Sequence, residues 1–244
     1  MAALHLIKDK KSKIGYEQTD THEIVIAPQF DEGMETFGRD SYIESPYASV
    51  RLGSKYGIVN ESGEIVVPIE YDEAYYLFDY LFAVRKRTDR RDWAFGVINQ
   101  EGKCIIPFEY KYIEKSNSFI VCYQNATSKR KFDRHGWGDK HLDYDGRVYD
   151  YKDLSGIFWM NAQGQTIYEG NAIQSAFHFL IIEDSGKLGV IDTNGNIVLT
   201  TAFDEIHCPC VNRFIVRKNI SEDEWTFGVV DEKQNPIIPQ IRNL

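Results

Sequence analysis

The sequence has few cysteines, little proline and no long apolar run. Its opening residues, MAALHLIKDKK, lack the continuous apolar core of a secretory signal peptide, and no segment has the apolar length of a membrane-spanning helix. Of the four cysteines, only Cys208 and Cys210 are close in sequence, so no disulfide framework is predicted. We therefore expect a cytoplasmic protein that has no membrane partner.

Positive charge is also scarce. The chain contains 28 lysine and arginine residues against 37 aspartate and glutamate residues, which gives a formal net charge of −9. Binding to a nucleic-acid backbone requires a positive surface, and the one basic cluster, Lys129–Lys131 with Arg134, is too small to provide it. No nucleic-acid partner is expected.

Motifs for cofactors and for the common catalytic mechanisms are missing as well. The sequence has no glycine-rich phosphate loop, no nucleophile elbow and no zinc-protease helix. We therefore expect no cofactor, and we favour a protein without catalytic activity.

What the sequence does contain is a repeated unit of about 40 residues. Its clearest copy is Lys55–Glu73, KYGIVNESGEIVVPIEYDE, which predicts a strand, a two-residue turn, a second strand and an aromatic-acidic step. Proline cannot donate to a strand ladder, so the proline of each copy is expected to end the second strand. The copies align on glycines that precede a short apolar run: Gly15, Gly57, Gly96, Gly156, Gly189 and Gly228.

The repeats predict an all-β chain, residues 1–244, forming one domain of about six antiparallel β-meander units. Two architectures fit such units, a propeller-like ring and an open twisted stack. The chain begins and ends within a unit, which slightly favours the ring. A ring would pair Ile241–Leu244 with Leu4–Lys8 and so protect two strand edges.

One interval between repeats is longer than the others, and the surplus falls at about residues 124–153. Residues 137–151 alternate in polarity around Asp145-Gly146, which predicts an extra hairpin inserted into the repeat array. On a strand of that hairpin, Asp139, His141 and Asp143 would share one face, and carboxylate-imidazole clusters bind divalent metals. The alternative interpretation is a solvated strand face, and it is the more common one.

Two other groups of residues have chemical potential. His207, Cys208 and Cys210 lie together, and a cysteine nucleophile would need a base such as His207. Packing is the favoured role for these cysteines, in a loop before the next strand. The recurring Asp-Glu pairs, such as Asp72-Glu73, are interpreted as turn residues and not as a catalytic dyad, because they recur at one position of the repeat.

These residues resemble the WG-repeat family of bacterial proteins. Lys55–Asn60, Gly63, Val66–Pro68 and Tyr71–Glu73 match the family pattern almost residue for residue, and the resemblance covers nearly the whole chain outside the insertion. One departure is consistent, because the Trp that precedes the Gly in the family is absent from every aligned copy. The residues in its place are Ile14, Tyr56, Phe95, Ser155, Leu188 and Phe227.

The resemblance implies an interaction scaffold, because the family has no general enzymatic activity to transfer. Our main hypothesis is therefore a non-catalytic module that binds a protein or peptide, with the insertion as the first expected binding loop. A hydrolase with a site in a central channel or on the inserted hairpin is one alternative, and a structural spacer is another. The oligomeric state is left open.

Overall fold

The computed structural model describes residues 3–34, 36–37, 45–90, 92–131 and 148–242. These residues form strands and turns only, which confirms the all-β prediction. None of them belongs to a helix that could cross a membrane. The segment Asp72–Phe78, whose pattern fits a helix as well as a strand, is a strand from Glu73 onward.

Within the described residues, 24 strands form six four-stranded sheets, numbered here in chain order. Sheet 1 has the strand order β3 (Ile24–Phe30), β2 (Ile14–Gln18), β1 (Leu4–Lys8) and β5 (Thr36–Phe37). Sheet 2 has the order β4 (Glu32–Gly33), β6 (Tyr47–Leu52), β7 (Lys55–Asn60) and β8 (Ile65–Tyr71). Sheet 3 consists of β9 (Glu73–Phe78), β10 (Leu81–Asp89), β11 (Asp92–Asn99) and β12 (Cys104–Tyr110).

The other three sheets follow the same meander order. Sheet 4 consists of β13 (Tyr112–Ser116), β14 (Phe119–Lys131), β15 (Val148–Met160) and β16 (Thr166–Glu169). Sheet 5 consists of β17 (Gln174–Ala176), β18 (Phe179–Asp184), β19 (Lys187–Asp192) and β20 (Ile197–Phe203). Sheet 6 consists of β21 (Glu205–Cys210), β22 (Arg213–Asn219), β23 (Trp225–Val230) and β24 (Pro236–Arg242).

The chain divides into two compact units. The first is made of residues 1–114 and 123–155, and the second of residues 115–122 and 156–244. Sheets 1 to 3 belong to the first unit, and sheets 5 and 6 belong to the second.

The hairpin turn has three loop residues in five of the six sheets and four in sheet 1, so the predicted two-residue turn is wrong. Gly63 N–H donates to Asn60 O at 3.0 Å, and Gly63 has a φ of 84°. The Asn60 side chain accepts hydrogen bonds from the backbone N–H groups of Ser62 and Glu64. A left-handed third residue is typical of a type I turn with a glycine bulge. The same geometry recurs at Asn99–Gly102, Asn161–Gly164 and Asp192–Gly195.

The repeat proline does not end its strand, which corrects the prediction. Pro68 lies inside β8, and the register shifts between the pairs Tyr56↔Tyr71 and Ile58↔Val67. Five residues of β8 therefore face three residues of β7, and proline is tolerated at such a bulge on an edge strand because its position needs no N–H donor.

The glycine between Tyr56 and Ile58 makes this bulge possible. A Cβ on Gly57 would lie 2.6 Å from the carbonyl oxygen of Val67, so the two backbones cross too closely for a side chain. Gly96 has the same relation to Ile106, at 2.8 Å. We call this residue the crossing glycine.

The fourth repeat lacks the crossing glycine, so its alignment on Gly156 is wrong. Every crossing glycine lies three residues before the first residue of the turn, and the turn of this repeat begins at Asn161. Phe158 therefore occupies the crossing position, and it pairs directly with Glu169 of β16.

The core lies between consecutive sheets. In each repeat that has a crossing glycine, one sheet face carries this glycine and the opposite face carries the aromatic or aliphatic residue before it. We call these the glycine face and the aromatic face. Ile14, Tyr16 and Ile26 on the aromatic face of sheet 1 pack with Ala48 and Val59 on the glycine face of sheet 2. Two further buried clusters repeat this packing, from sheet 2 to sheet 3 and from sheet 5 to sheet 6.

The aromatic-acidic step connects consecutive sheets electrostatically. Asp204 Oδ1 accepts a hydrogen bond from Lys187 Nζ of sheet 5 at 2.6 Å, and Oδ2 accepts one from the Asn219 backbone N–H of sheet 6 at 2.8 Å. Glu205 pairs with Arg217 at 2.6 Å. The interpretation as local turn chemistry is therefore wrong in its mechanism, although these pairs are structural. Asp31 with Lys13 and Gly53 forms the same bridge in the first unit.

The predicted pairing of the chain ends is also wrong. Strand β1 lies between β2 and β5, with Leu4 opposite Phe37. Ile241 is opposite Phe227 and so continues β24 within sheet 6. The preference for a ring over an open stack stays a prediction.

We predict that Gly96→Ala destabilises the protein more than Gly102→Ala does. The Gly96 Cβ would lie 2.8 Å from a backbone oxygen, whereas a Cβ on Gly102 meets nothing within 4 Å and only its φ of 76° is strained. We expect losses of at least about 3 kcal/mol for Gly96→Ala and about 1–2 kcal/mol for Gly102→Ala in urea unfolding. A smaller loss for Gly96→Ala would contradict the close crossing.

We also predict that Asp204→Asn destabilises the protein at pH 7 and has no effect near pH 2. The hydrogen bonds from Lys187 and Asn219 hold the pKa of Asp204 below its usual range. A lowered folded-state pKa contributes stability above the unfolded value of about 4, and this contribution is lost as the pH falls through the folded value. Urea unfolding across this pH range tests the prediction, with exposed Glu232→Gln as the control.

Candidate functional site

The aromatic face of sheet 6 is apolar and exposed. Four of its large apolar side chains are between 37% and 65% exposed: Ile215, Phe227, Ile238 and Ile241. The opposite, glycine face of the same sheet is buried, because Phe214, Val216 and Val230 pack against sheet 5. Sheet 6 therefore has one face in the core and one face that presents apolar surface to solvent.

The strand register brings these side chains together. Ile215 of β22 is opposite Val229 of β23, and Val229 is opposite Ile238 of β24. Phe227 and Ile241 form the next cross-strand pair on the same face. Directly opposed side chains in a sheet lie about 4.5–5.5 Å apart, so these residues form one continuous patch. We call Ile215, Phe227, Ile238 and Ile241 the apolar patch.

The edge of the apolar patch is polar. Arg217, which is opposite Phe227, forms the ion pair with Glu205 and is 28% exposed. His207, opposite Ile215, is exposed. A central apolar area with a polar rim is the usual composition of a protein-binding surface.

Three of the four equivalent positions in the preceding sheet are buried, and the fourth, Leu188, is partly buried. Ile181, Leu199 and Phe203 of sheet 5 correspond to Ile215, Ile238 and Ile241, and each is at most 7% exposed. The same positions are buried in sheet 2, where Ile58 and Val67 pack on sheet 3. The apolar patch is therefore a surface that elsewhere in the chain serves as an interface between repeats.

The cysteines of sheet 6 are not arranged for catalysis. Cys208 packs against the core on the glycine face, whereas His207 lies on the other face of the same strand. Burial raises the pKa of Cys208, which favours the unreactive thiol. Both cysteines lie in β21 and not in a loop, which corrects the prediction of their location. The packing role is the one that fits Cys208.

The insertion continues two neighbouring strands. β14 and β15 each extend over 13 residues, so the described part of the insertion lengthens the hairpin of sheet 4. The predicted metal ligands Asp139, His141 and Asp143 lie outside the described residues. The hypothesis that these three residues bind a metal ion stays a prediction.

A different group of metal-ligating atoms is brought together in sheet 1. One nitrogen each from His5 and His22 and one carboxylate oxygen of Glu17 lie within 4.8 Å of one another. In the part of the chain that the structure describes, this is the one such group of three.

Sequence reasoning did not identify either the apolar patch or the histidine cluster. The patch has the same residue types as the buried repeats, so residue type alone gave no signal for it. The cluster had a clearer signal, because His5 and Glu17 occupy positions that are apolar in the other aligned repeats.

The chain was compared with known protein families, curated sequences and solved structures. The family described as WG containing repeat matches residues 56–87, 95–118 and 189–219. No curated protein sequence gives a significant match.

Two solved structures are distantly similar to the chain. One is titled "Crystal structure of the eukaryotic initiation factor", with 10% identity, a TM-score of 0.39 and coverage of 81% of this chain and 52% of that one. The other is TolB from Acinetobacter baumannii, with 10% identity, a TM-score of 0.33 and coverage of 96% and 62%. The chain thus spans less than two thirds of the length of either structure.

The family match confirms the resemblance drawn from the sequence. Each of the three matched segments contains strands of a four-stranded meander. The first two segments begin one residue before a crossing glycine, Gly57 or Gly96, and the third begins at Gly189. The family is recognised although the tryptophan before the glycine is absent. The chain therefore contains WG-type repeats at these three segments.

Proposed function

We propose that the protein is a non-catalytic β-repeat scaffold that binds a protein partner through the apolar patch of sheet 6. The observation that carries this proposal is the exposure of the patch at positions that are buried in the preceding repeats. Contiguous exposed apolar surface with a polar rim marks interaction sites in soluble proteins. A cytoplasmic location and a bacterial source belong to the same proposal.

The partner we propose is another polypeptide with a WG-type repeat, which docks its glycine face on the patch. Among the described residues, three buried clusters between sheets each join an aromatic face to a glycine face. The receiving residues on the glycine face are apolar: Ala48 and Val50 in sheet 2, and Phe214 and Val216 in sheet 6. The patch is complementary to such a surface because it has the same residue types as the aromatic faces that already bind one.

A second copy of the chain is the less favourable partner. Its sheet 1 would have to offer a glycine face on which His5 and Glu17 replace apolar residues. Burying a carboxylate and an imidazole against Ile215 and Phe227 costs several kcal/mol unless both remain hydrogen-bonded. We therefore expect the chain to remain monomeric by sedimentation at micromolar concentration.

The partner is tested by affinity capture from the native host with the intact chain as bait. Phe227→Ser with Ile238→Ser is the test variant, and Ile173→Ser with Ile197→Ser is its matched control, because all four side chains are exposed in the second unit. Each patch side chain contributes about 1 kcal/mol or more when buried, so we expect capture to fall at least about tenfold for the test variant only. Both variants should unfold within about 0.5 kcal/mol of the unmodified chain.

The proposal is supported if the unmodified chain captures a polypeptide that the test variant does not capture, and if this polypeptide contains WG-type repeats. The proposal is wrong if no captured protein depends on Phe227 and Ile238, or if the control variant loses the same protein. Self-association that the test variant abolishes would identify a second copy as the partner and would contradict a foreign repeat. A separate bait without residues 132–147 tests the insertion as a binding loop.

A further inference from the structure

We infer that His5, Glu17 and His22 form a binding site for a divalent transition-metal ion of the zinc class. His5 Nε2 lies 3.0 Å from Glu17 Oε1, and His22 Nδ1 lies 2.8 Å from the same oxygen. Ligands about 2.0 Å from a tetrahedral ion are roughly 3.3 Å apart, so small side-chain rotations bring the three atoms into coordination distance.

The first reason for this assignment is that the site replaces an apolar pair. His5 and Glu17 are direct cross-strand partners on the glycine face of sheet 1. The equivalent pairs in sheets 2, 3, 5 and 6 are apolar and buried: Ala48 with Val59, Phe82 with Ile98, Leu180 with Ile191, and Phe214 with Val230. Both members of the pair are changed together, and both are changed to metal-ligating residues.

The second reason is the backbone of His22. His22 has a φ of 57° and occupies the end of the hairpin turn, where four of the repeats with a three-residue loop have a glycine (Gly63, Gly102, Gly164 and Gly195) and the fifth has Gln234, with a φ of 63°. A left-handed conformation is unfavourable for a residue with a side chain. Departures from an otherwise consistent repeat are expected at functional positions, and three of them converge here.

The third reason is the chemistry of the donors. Two imidazole nitrogens and one carboxylate oxygen form a set that zinc accepts, with further coordination positions open to solvent. The side chains of His5 and Glu17 are 31% and 17% exposed, and that of His22 is 72% exposed. His5 Nδ1 is buried and has no hydrogen-bond partner among the described residues, so the protein alone satisfies only one of its two ring nitrogens.

A polar cap that only keeps the glycine face of sheet 1 soluble is the competing explanation. Such a cap needs polar side chains on the face, but it does not need a histidine in the strained turn position. His22→Gly separates the two explanations, because it restores the usual turn residue and leaves His5 and Glu17 on the face. This variant is expected to fold at least as stably as the unmodified chain.

The test is calorimetric titration of the chelator-stripped full chain with Zn²⁺, together with the visible absorption of bound Co²⁺. We expect His22→Gly, His5→Ala and Glu17→Gln each to weaken Zn²⁺ binding at least about tenfold. His207→Ala, which removes an exposed histidine from sheet 6, should leave binding unchanged. The site is independent of the apolar patch, so the patch variants should bind Zn²⁺ normally.

A separate variant, in which Asp139, His141 and Asp143 are changed to alanine, tests whether the insertion binds the Zn²⁺ instead. Retention of Zn²⁺ binding in this variant, with its loss in His22→Gly, supports the site. The inference is overturned if His22→Gly binds Zn²⁺ as tightly as the unmodified chain. It is also overturned if the insertion variant abolishes all binding.

Discussion

The close crossing of two backbones at the repeat glycine determines the geometry of each sheet. Because Gly57 has no side chain, β8 can bulge across β7 and bring Val67 and Tyr71 onto the face that carries Tyr56. That face then provides the aromatic half of each buried cluster between sheets. A larger residue at the crossing changes the pairing itself, as it does at Phe158, where the strands pair without this bulge.

Charge fixes the relation between neighbouring sheets where apolar packing alone would allow sliding. Asp31 and Asp204 each join a lysine of one sheet to a backbone N–H of the next: Asp31 joins Lys13 to Gly53, and Asp204 joins Lys187 to Asn219. The following glutamate holds an arginine of that next sheet, as in Glu73–Arg85 at 2.6 Å. Exposed ion pairs contribute little alone, but here they repeat at fixed positions and so specify one register.

The sequence was sufficient to predict the repeat and the strands of the described residues, because apolar alternation and turn residues are local signals. The sequence was misleading where contacts between strands override a local preference for a turn or a strand end. The sequence pattern predicts a strand end at Pro68, but Pro68 lies inside β8, at a bulge where no N–H donor is needed. Asn194-Gly195 predicts a two-residue turn, but the Asp192 side chain accepts hydrogen bonds that stabilise a three-residue loop. Exposure of Phe227 was not predictable, because the same residue type is buried when another sheet follows. The convergence of His5, Glu17 and His22 depends on strand register and on a turn one residue longer than in the other repeats.

The bulged proline strands also affect how the protein resists aggregation. β3, β8, β12 and β24 are the outermost strands of their sheets, and each carries a proline: Pro28, Pro68, Pro107 and Pro239. An outer strand normally offers a row of N–H and C=O groups to which a strand of another molecule can add. A missing donor and a local kink interrupt that row in these four sheets. The prolines therefore discourage strand addition at these four edges, so a contact between this protein and another molecule would depend on side chains, whose identities differ from one surface to the next.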